Sequence, residues 1–151
     1  MAPHATSPPP PKAITRLPAP PRPEFSLSPP RLLIIGAGNR GNAYASAIQT
    51  STNGLLVSVV EPIGIKRRLL GQKFIWGKAA PVSDDGQEFQ DWRDFVEWEL
   101  ERRQKEKEGE TVREGVDAVF ICVQDQMHKE VVLGIAPLGY ISCVRSRLLL
   151  R

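Results

Sequence analysis

Residues 31–41 read RLLIIGAGNRG, and the rest of the chain is arranged around them. Four consecutive apolar residues, Leu32 to Ile35, run directly into Gly36, Gly38 and Gly41. A buried strand that ends in a glycine-rich turn and opens a helix is the dinucleotide-binding fingerprint. The three glycines do different things. Gly36 permits the tight turn, Gly38 lets the backbone approach a pyrophosphate, and Gly41 lets the helix pack closely on the strand. The phosphates rest on N–H groups at the positive end of that helix, with Asn39 and Arg40 beside them. Taken alone, Arg40 reads more readily as a solvated surface charge, and its place inside the loop brings the two readings level.

A second apolar run, Leu55 to Val60, closes on Glu61, twenty residues beyond Gly41, where the fingerprint expects an acid for the ribose hydroxyls. The other reading of Glu61 is a cap on the helix that starts at Pro62. Arg67 and Arg68 lie early in that second helix, whose apolar positions are Ile63, Ile65, Leu69 and Leu70. An arginine there could accommodate a 2′-phosphate, but Glu61 repels that group, so NAD is expected over NADP.

The length, 151 residues, suits one ordinary α/β domain, and 41% hydrophobic residues suffice for a core. The net charge is only +3 with acids and bases interleaved, which gives no footprint for nucleic acid. Cys122 and Cys143 make neither a metal spacing nor a disulfide framework, so reduced thiols in a cytoplasmic protein are expected. No apolar run is long enough to cross a membrane, and no signal peptide follows Met1.

Residues 1–30 hold eleven of the fourteen prolines and read as a disordered tail. A polyproline ligand and an organelle-targeting segment, given Lys12, Arg16 and Arg22 against Glu24, are the alternatives. The helix opened at Asn39 carries the small residues Ala43, Ala45 and Ala47, which suit close packing on a sheet. A third strand is expected near Phe74 to Trp76, and a connection without evident chemistry from Lys78 to Gly86. Residues 88–108 read as one helix with an apolar stripe of Phe89, Trp92, Phe95, Val96 and Leu100, followed by a solvated charge run, with Trp92 and Trp98 as core rather than ligand platforms. Val116 to Val123 is the next strong strand, with a helix from about Gln126 to Ala136. In a doubly wound parallel sheet the loop from Val123 to His128 then lines the cofactor cleft. On its own, a histidine in a first helical turn is more often a capping or packing residue than an acid–base catalyst.

The pairing of RLLIIGAGNRG with VDAVFICVQDQMHKEVVLGIAPLGY, over roughly residues 31–140, resembles the N-terminal domain of the Gfo/Idh/MocA oxidoreductases. The family pattern continues its VDAVxI strand into Thr-Pro-Asn with a histidine three residues on. Here Val123, Gln124 and Asp125 stand in place of those three residues, and His128 matches. The resemblance implies a nicotinamide dinucleotide held by Gly36, Gly38, Asn39, Arg40, Gly41, Glu61, Val123, Gln124, Asp125 and His128. It also implies hydride transfer to or from a sugar, polyol or related metabolite, with a Glu-Lys-Pro lysine at the reacting carbon and a second domain supplying substrate pocket and oligomer surface.

Neither follows Tyr140 here, where the chain reads ISCVRSRLLLR. Codons for Ile-Ser-Cys-Val-Arg-Ser-Arg in a neighbouring frame can spell His-Ile-Leu-Cys-Glu-Lys-Pro. The expectation is therefore an incomplete Rossmann-like domain over residues 31–140 and a frameshifted tail over 141–151, with the coding DNA as the test and a misplaced splice junction as the alternative. The domain binds nucleotide without catalysis, has no metal site, and lacks the family's substrate and oligomer surfaces. A nucleotide-binding interaction module and a nonfunctional truncated product are the competing readings.

Overall fold

The computed structural model describes residues 28–79 and 82–144, the last four by their backbone. The expected disordered tail lies outside the described residues except for Ser28 to Pro30, and residues 145–151 lie outside them entirely. Five strands form one sheet: β1 (Arg31–Ile35), β2 (Leu55–Val60), β3 (Glu88–Phe89), β4 (Ala118–Ile121) and β5 (Ile141–Val144). Their spatial order is β3-β2-β1-β4-β5, with every neighbour parallel. Four helices connect them: α1 (Asn39–Ser51), α2 (Gly64–Phe74), α3 (Trp92–Lys107) and α4 (Asp125–Ile135). This is the doubly wound, Rossmann-like α/β fold that alternating strands and helices dictate.

The unbroken apolar run of β1 follows from burial on both faces. Leu32 and Ile34 enter one core with Ala45, Ile48, Leu56 and Leu70, contributed by β2, α1 and α2. Leu33 and Ile35 enter the other with Phe95, Val119, Val131 and Ile135, contributed by α3, β4 and α4. Helix α1 turns Gly41, Ala45 and Ile48 inward at helical spacing, so Ala43 and Ala47 are exposed rather than packed. In α2 only Leu70 and Gly71 are buried; Ile65 and Leu69, expected in the core, are exposed.

Three boundaries differ from the sequence reading. No strand forms at Phe74 to Trp76, because the Gly71 carbonyl accepts hydrogen bonds from Ile75 N (2.8 Å) and Trp76 N (3.0 Å) and the Trp76 ring folds back over Gly71. The third strand is Glu88–Phe89, which the expected long helix had absorbed. A capping box sets that boundary: Asp91 accepts from Arg93 N at 2.8 Å, and Asp94 accepts from Asp91 N at 3.1 Å, so α3 cannot begin before Trp92. Beyond Tyr140, residues 141–144 pair with β4 from Ala118↔Ile141 to Ile121↔Val144, so the sheet extends past the expected domain boundary. Gly139, at φ +76°, turns the chain into that edge strand.

The inward stripe of α3 also differs. Glu99, 1% exposed, takes the place expected for Leu100, which is 54% exposed. Its carboxylate accepts from Arg102 Nε (2.8 Å) and Nη2 (3.1 Å) and from Arg103 Nε (2.6 Å), so the start of the charge run is a half-buried ion cluster and not a solvated face.

Candidate dinucleotide-binding site

The strand order reverses between β1 and β4, so the loops leaving their C-terminal ends part and leave a crevice. The glycine turn forms one wall. Gly36 has φ +102°, and its N–H donates to the Val60 carbonyl at 2.8 Å. A Cβ at Gly36 would stand 2.8 Å from the Cys122 carbonyl oxygen, and one at Gly41 would collide with the Gly36 carbonyl oxygen. Both glycines are therefore demanded by the fold itself.

Gly38 is different. Its φ of −75° suits any residue, and a Cβ there would meet nothing within 4 Å. The chain has no packing or backbone reason for glycine at this point; the open space on its α-carbon faces the crevice at the start of α1. Gly38 at the N-cap has no side chain to cap α1, and no acid stands in the first turn, so the positive end of the helix is left for an anion. The Asn42 amide secures the turn by donating to the Ala37 (2.9 Å) and Gly38 (3.0 Å) carbonyls.

Glu61 leaves the end of β2 and is 7% exposed. One carboxylate oxygen accepts from Ala37 N at 2.7 Å and the other from Ile63 N at 3.0 Å. The carboxylate thus anchors the residue before α2, close to the cap reading, and also grips the middle of the glycine turn. Each oxygen retains lone-pair capacity for a further donor. Arg67 donates to the Glu61 carbonyl at 2.5 Å and to the Glu88 carboxylate at 2.8 Å, which removes it as a free partner for a 2′-phosphate. Burial pushes the Glu88 carboxyl up, but hydrogen bonds from Ser83 and Arg67 outweigh this and hold it below the usual range.

Two adjoining cavities make up the cleft. One, of about 330 Å³, runs from Glu61 past Gly36 and Gly38 to Val123 and Gln124; the other, of about 400 Å³, lies between Gly38–Arg40 and Cys122–Asp125. All the expected site residues line one or both, except Gly41, which acts through packing, and His128. His128 is 6% exposed and sits behind the loop, with Nε2 2.8 Å from the Val123 carbonyl oxygen.

The fingerprint did not reveal Ile63, Lys66, Gln90, Asp91, Trp92 or Met127, which also line the first cavity. The signal lay in topology, because the β2–α2 and β3–α3 connections leave the same sheet edge. Trp92 is both wall and core, since its ring also packs over Gly134. A larger cavity, of about 790 Å³, opens at the opposite edge beside Arg31, Arg102 and Arg103. There each arginine already bonds a carboxylate and a backbone carbonyl of this chain.

Solved dehydrogenases share this arrangement of strands and helices. The chain is similar to the myo-inositol dehydrogenase of Lactobacillus casei, solved with NAD(H) and myo-inositol (TM-score 0.56, 15% identity, 76% of this chain and 27% of that one). It is also similar to the WlbA dehydrogenase of Thermus thermophilus, solved with NAD and UDP-GlcNAcA (0.57, 21%, 81% and 34%). A third similar structure is the myo-inositol dehydrogenase of Corynebacterium glutamicum (0.54, 14%, 76% and 27%). This chain shares its fold with part of these dehydrogenases. It spans roughly a quarter to a third of their length. No family model and no curated protein matches the chain. Among the described residues no helix is long and apolar enough to cross a membrane.

Proposed function

We propose that residues 31–144, with β5 included, form the NAD(P)-binding domain of a Gfo/Idh/MocA-type oxidoreductase and that this chain binds the nucleotide without carrying out hydride transfer. The observation that carries the reading is Gly38: a glycine at the N-cap of α1 whose own φ and surroundings do not require one, in the crevice where the strand order reverses. The fold shared with dehydrogenases solved with NAD or NAD(H) supports the same conclusion.

The residues present fit the ligand. Gly36 and Gly38 with the N-terminus of α1 suit the pyrophosphate, and Glu61 suits the adenosine ribose. Asn39, Arg40, Val123, Gln124 and Asp125 form the side beyond β1. NAD is favoured over NADP, because a carboxylate holds the ribose position and Arg67 is already paired. Bound NAD supplies the hydride acceptor; this chain's residues bind and orient it. Reactive geometry also requires a substrate held against the nicotinamide, a role we assign to the part of the dehydrogenases that this chain does not span. A cytoplasmic location belongs to the same reading.

Trp92 in the cleft wall provides the test. Titrating NADH into the purified protein should quench tryptophan emission saturably, and Trp92→Phe should lose most of the quenching while binding persists in calorimetry. Folded protein whose emission and heat are both indifferent to NADH would refute the reading. Oxidation of any polyol or sugar by the chain alone would refute the absence of catalysis.

A further inference from the structure

His128 occupies the first turn of α4 with its ring turned inward, and its two nitrogens are treated very differently. Nε2 lies 2.8 Å from the Val123 carbonyl oxygen, whereas Nδ1 is buried without a hydrogen-bond partner. A carbonyl can only accept, so Nε2 carries the proton and donates, leaving Nδ1 as a bare acceptor. A buried polar atom without a partner destabilises a fold, and an apolar ring of similar size would fill the same space without that defect. What histidine adds over such a ring is the bond to Val123.

That bond bears on the cleft. Val123 lines both cavities, and its carbonyl belongs to the peptide that leads into Gln124 and α4. Strand order sets the consequence. β2, carrying Glu61, and β4, leading to Val123, lie on opposite sides of β1. With a pyrophosphate on Gly36–Gly38 and adenosine toward Glu61, the second nucleoside extends toward Val123–Asp125. We infer that His128 is a positioning residue: it fixes the Val123–Gln124 peptide for the nicotinamide half of the dinucleotide through the Nε2–H···O=C bond, without touching the ligand.

The inference rests on the dinucleotide reading, and AMP separates the two. Wild type, His128→Phe and His128→Gln would be titrated calorimetrically with NAD and with AMP, which lacks the nicotinamide nucleoside, after thermal melts establish folding. The expected result is a roughly tenfold weaker NAD affinity for His128→Phe, the size of one lost buried hydrogen bond, with AMP affinity within about twofold of wild type. His128→Gln, which keeps a donor, should recover most of the NAD affinity. Unchanged NAD binding by folded His128→Phe, or equal losses for NAD and AMP, would overturn the inference. Wild-type protein that binds neither ligand would overturn the dinucleotide reading and this inference with it. The imidazole ¹⁵N spectrum of wild type tests the bond without any variant: a protonated Nε2 with a pyridine-like Nδ1 is expected, and the opposite tautomer would contradict it.

Discussion

The carboxylate of Glu61 accepts a hydrogen bond from the backbone N–H of Ala37 at 2.7 Å, so the acid that ends β2 clasps the glycine turn that ends β1. Two segments 24 residues apart are thereby locked together at the glycine turn. Replacing Glu61 with Ala leaves the N–H groups of Ala37 and Ile63 without their acceptor in a part-buried site. Glu61→Ala should cost about 1–3 kcal/mol in chemical denaturation, in addition to weakening NAD binding. A variant as stable as wild type would show that the clasp is dispensable.

The three glycines should separate by assay. Gly41→Ala forces a methyl group against the Gly36 carbonyl and should destabilise by about 1–3 kcal/mol. Gly36→Ala combines a positive φ with a milder clash, 2.8 Å from the Cys122 carbonyl oxygen against the closer collision at Gly41, and should cost less than Gly41→Ala. Denaturation midpoints for both variants check the order.

Glu99 makes stability depend on acid. Burial pushes its carboxyl up, but the hydrogen bonds from Arg102 and Arg103 outweigh burial and hold it below the usual carboxylate range. The folded chain therefore keeps this charge to lower pH than the unfolded chain does. Its contribution is whole above the ordinary carboxylate value and is lost as pH falls through the lower, folded value. Glu99→Ala, which leaves Arg102 with Glu106 and the Arg113 carbonyl and Arg103 with the Leu138 carbonyl, should cost about 1–3 kcal/mol at neutral pH. Melting series from pH 6 to pH 3 should show the gap between wild type and variant narrowing toward acid; a constant gap would contradict the assignment.

Ser58 on β2 is 1% exposed, and its hydroxyl has no hydrogen-bond partner. Ser58→Ala removes an unsatisfied buried group at little loss of volume. It should leave stability unchanged or raise it by about 1 kcal/mol in urea titration.

What could be read in advance depended on whether a residue's role was local. The β1 run, the glycine spacing and the distance to Glu61 are properties of one continuous βαβ unit, and the crevice loop at Val123 followed from the strand order such units impose. Roles decided by distant partners were hidden. Glu99 counts as polar in any periodicity, and only arginines three and four residues later signal that its charge is compensated. Leu100, Ile65 and Leu69 look like core by type, yet each is exposed. The short strand at Glu88–Phe89 carries too few residues to show alternation, and the Asp91 cap that separates it from α3 was the overlooked local sign. His128, read on its own as a capping or packing residue, takes that place, buried behind the loop with Nε2 at the Val123 carbonyl.

The most direct test is calorimetric titration of NAD into wild-type protein and Gly38→Val, each shown by melting to be folded. Because a Cβ at Gly38 meets nothing within 4 Å and its φ suits any residue, the variant should melt like wild type and lose NAD binding altogether, while wild type binds saturably at one site. Folded wild type that generates no binding heat with NAD or NADP, or a Gly38→Val variant that binds as tightly as wild type, would contradict a pyrophosphate seat at the end of β1.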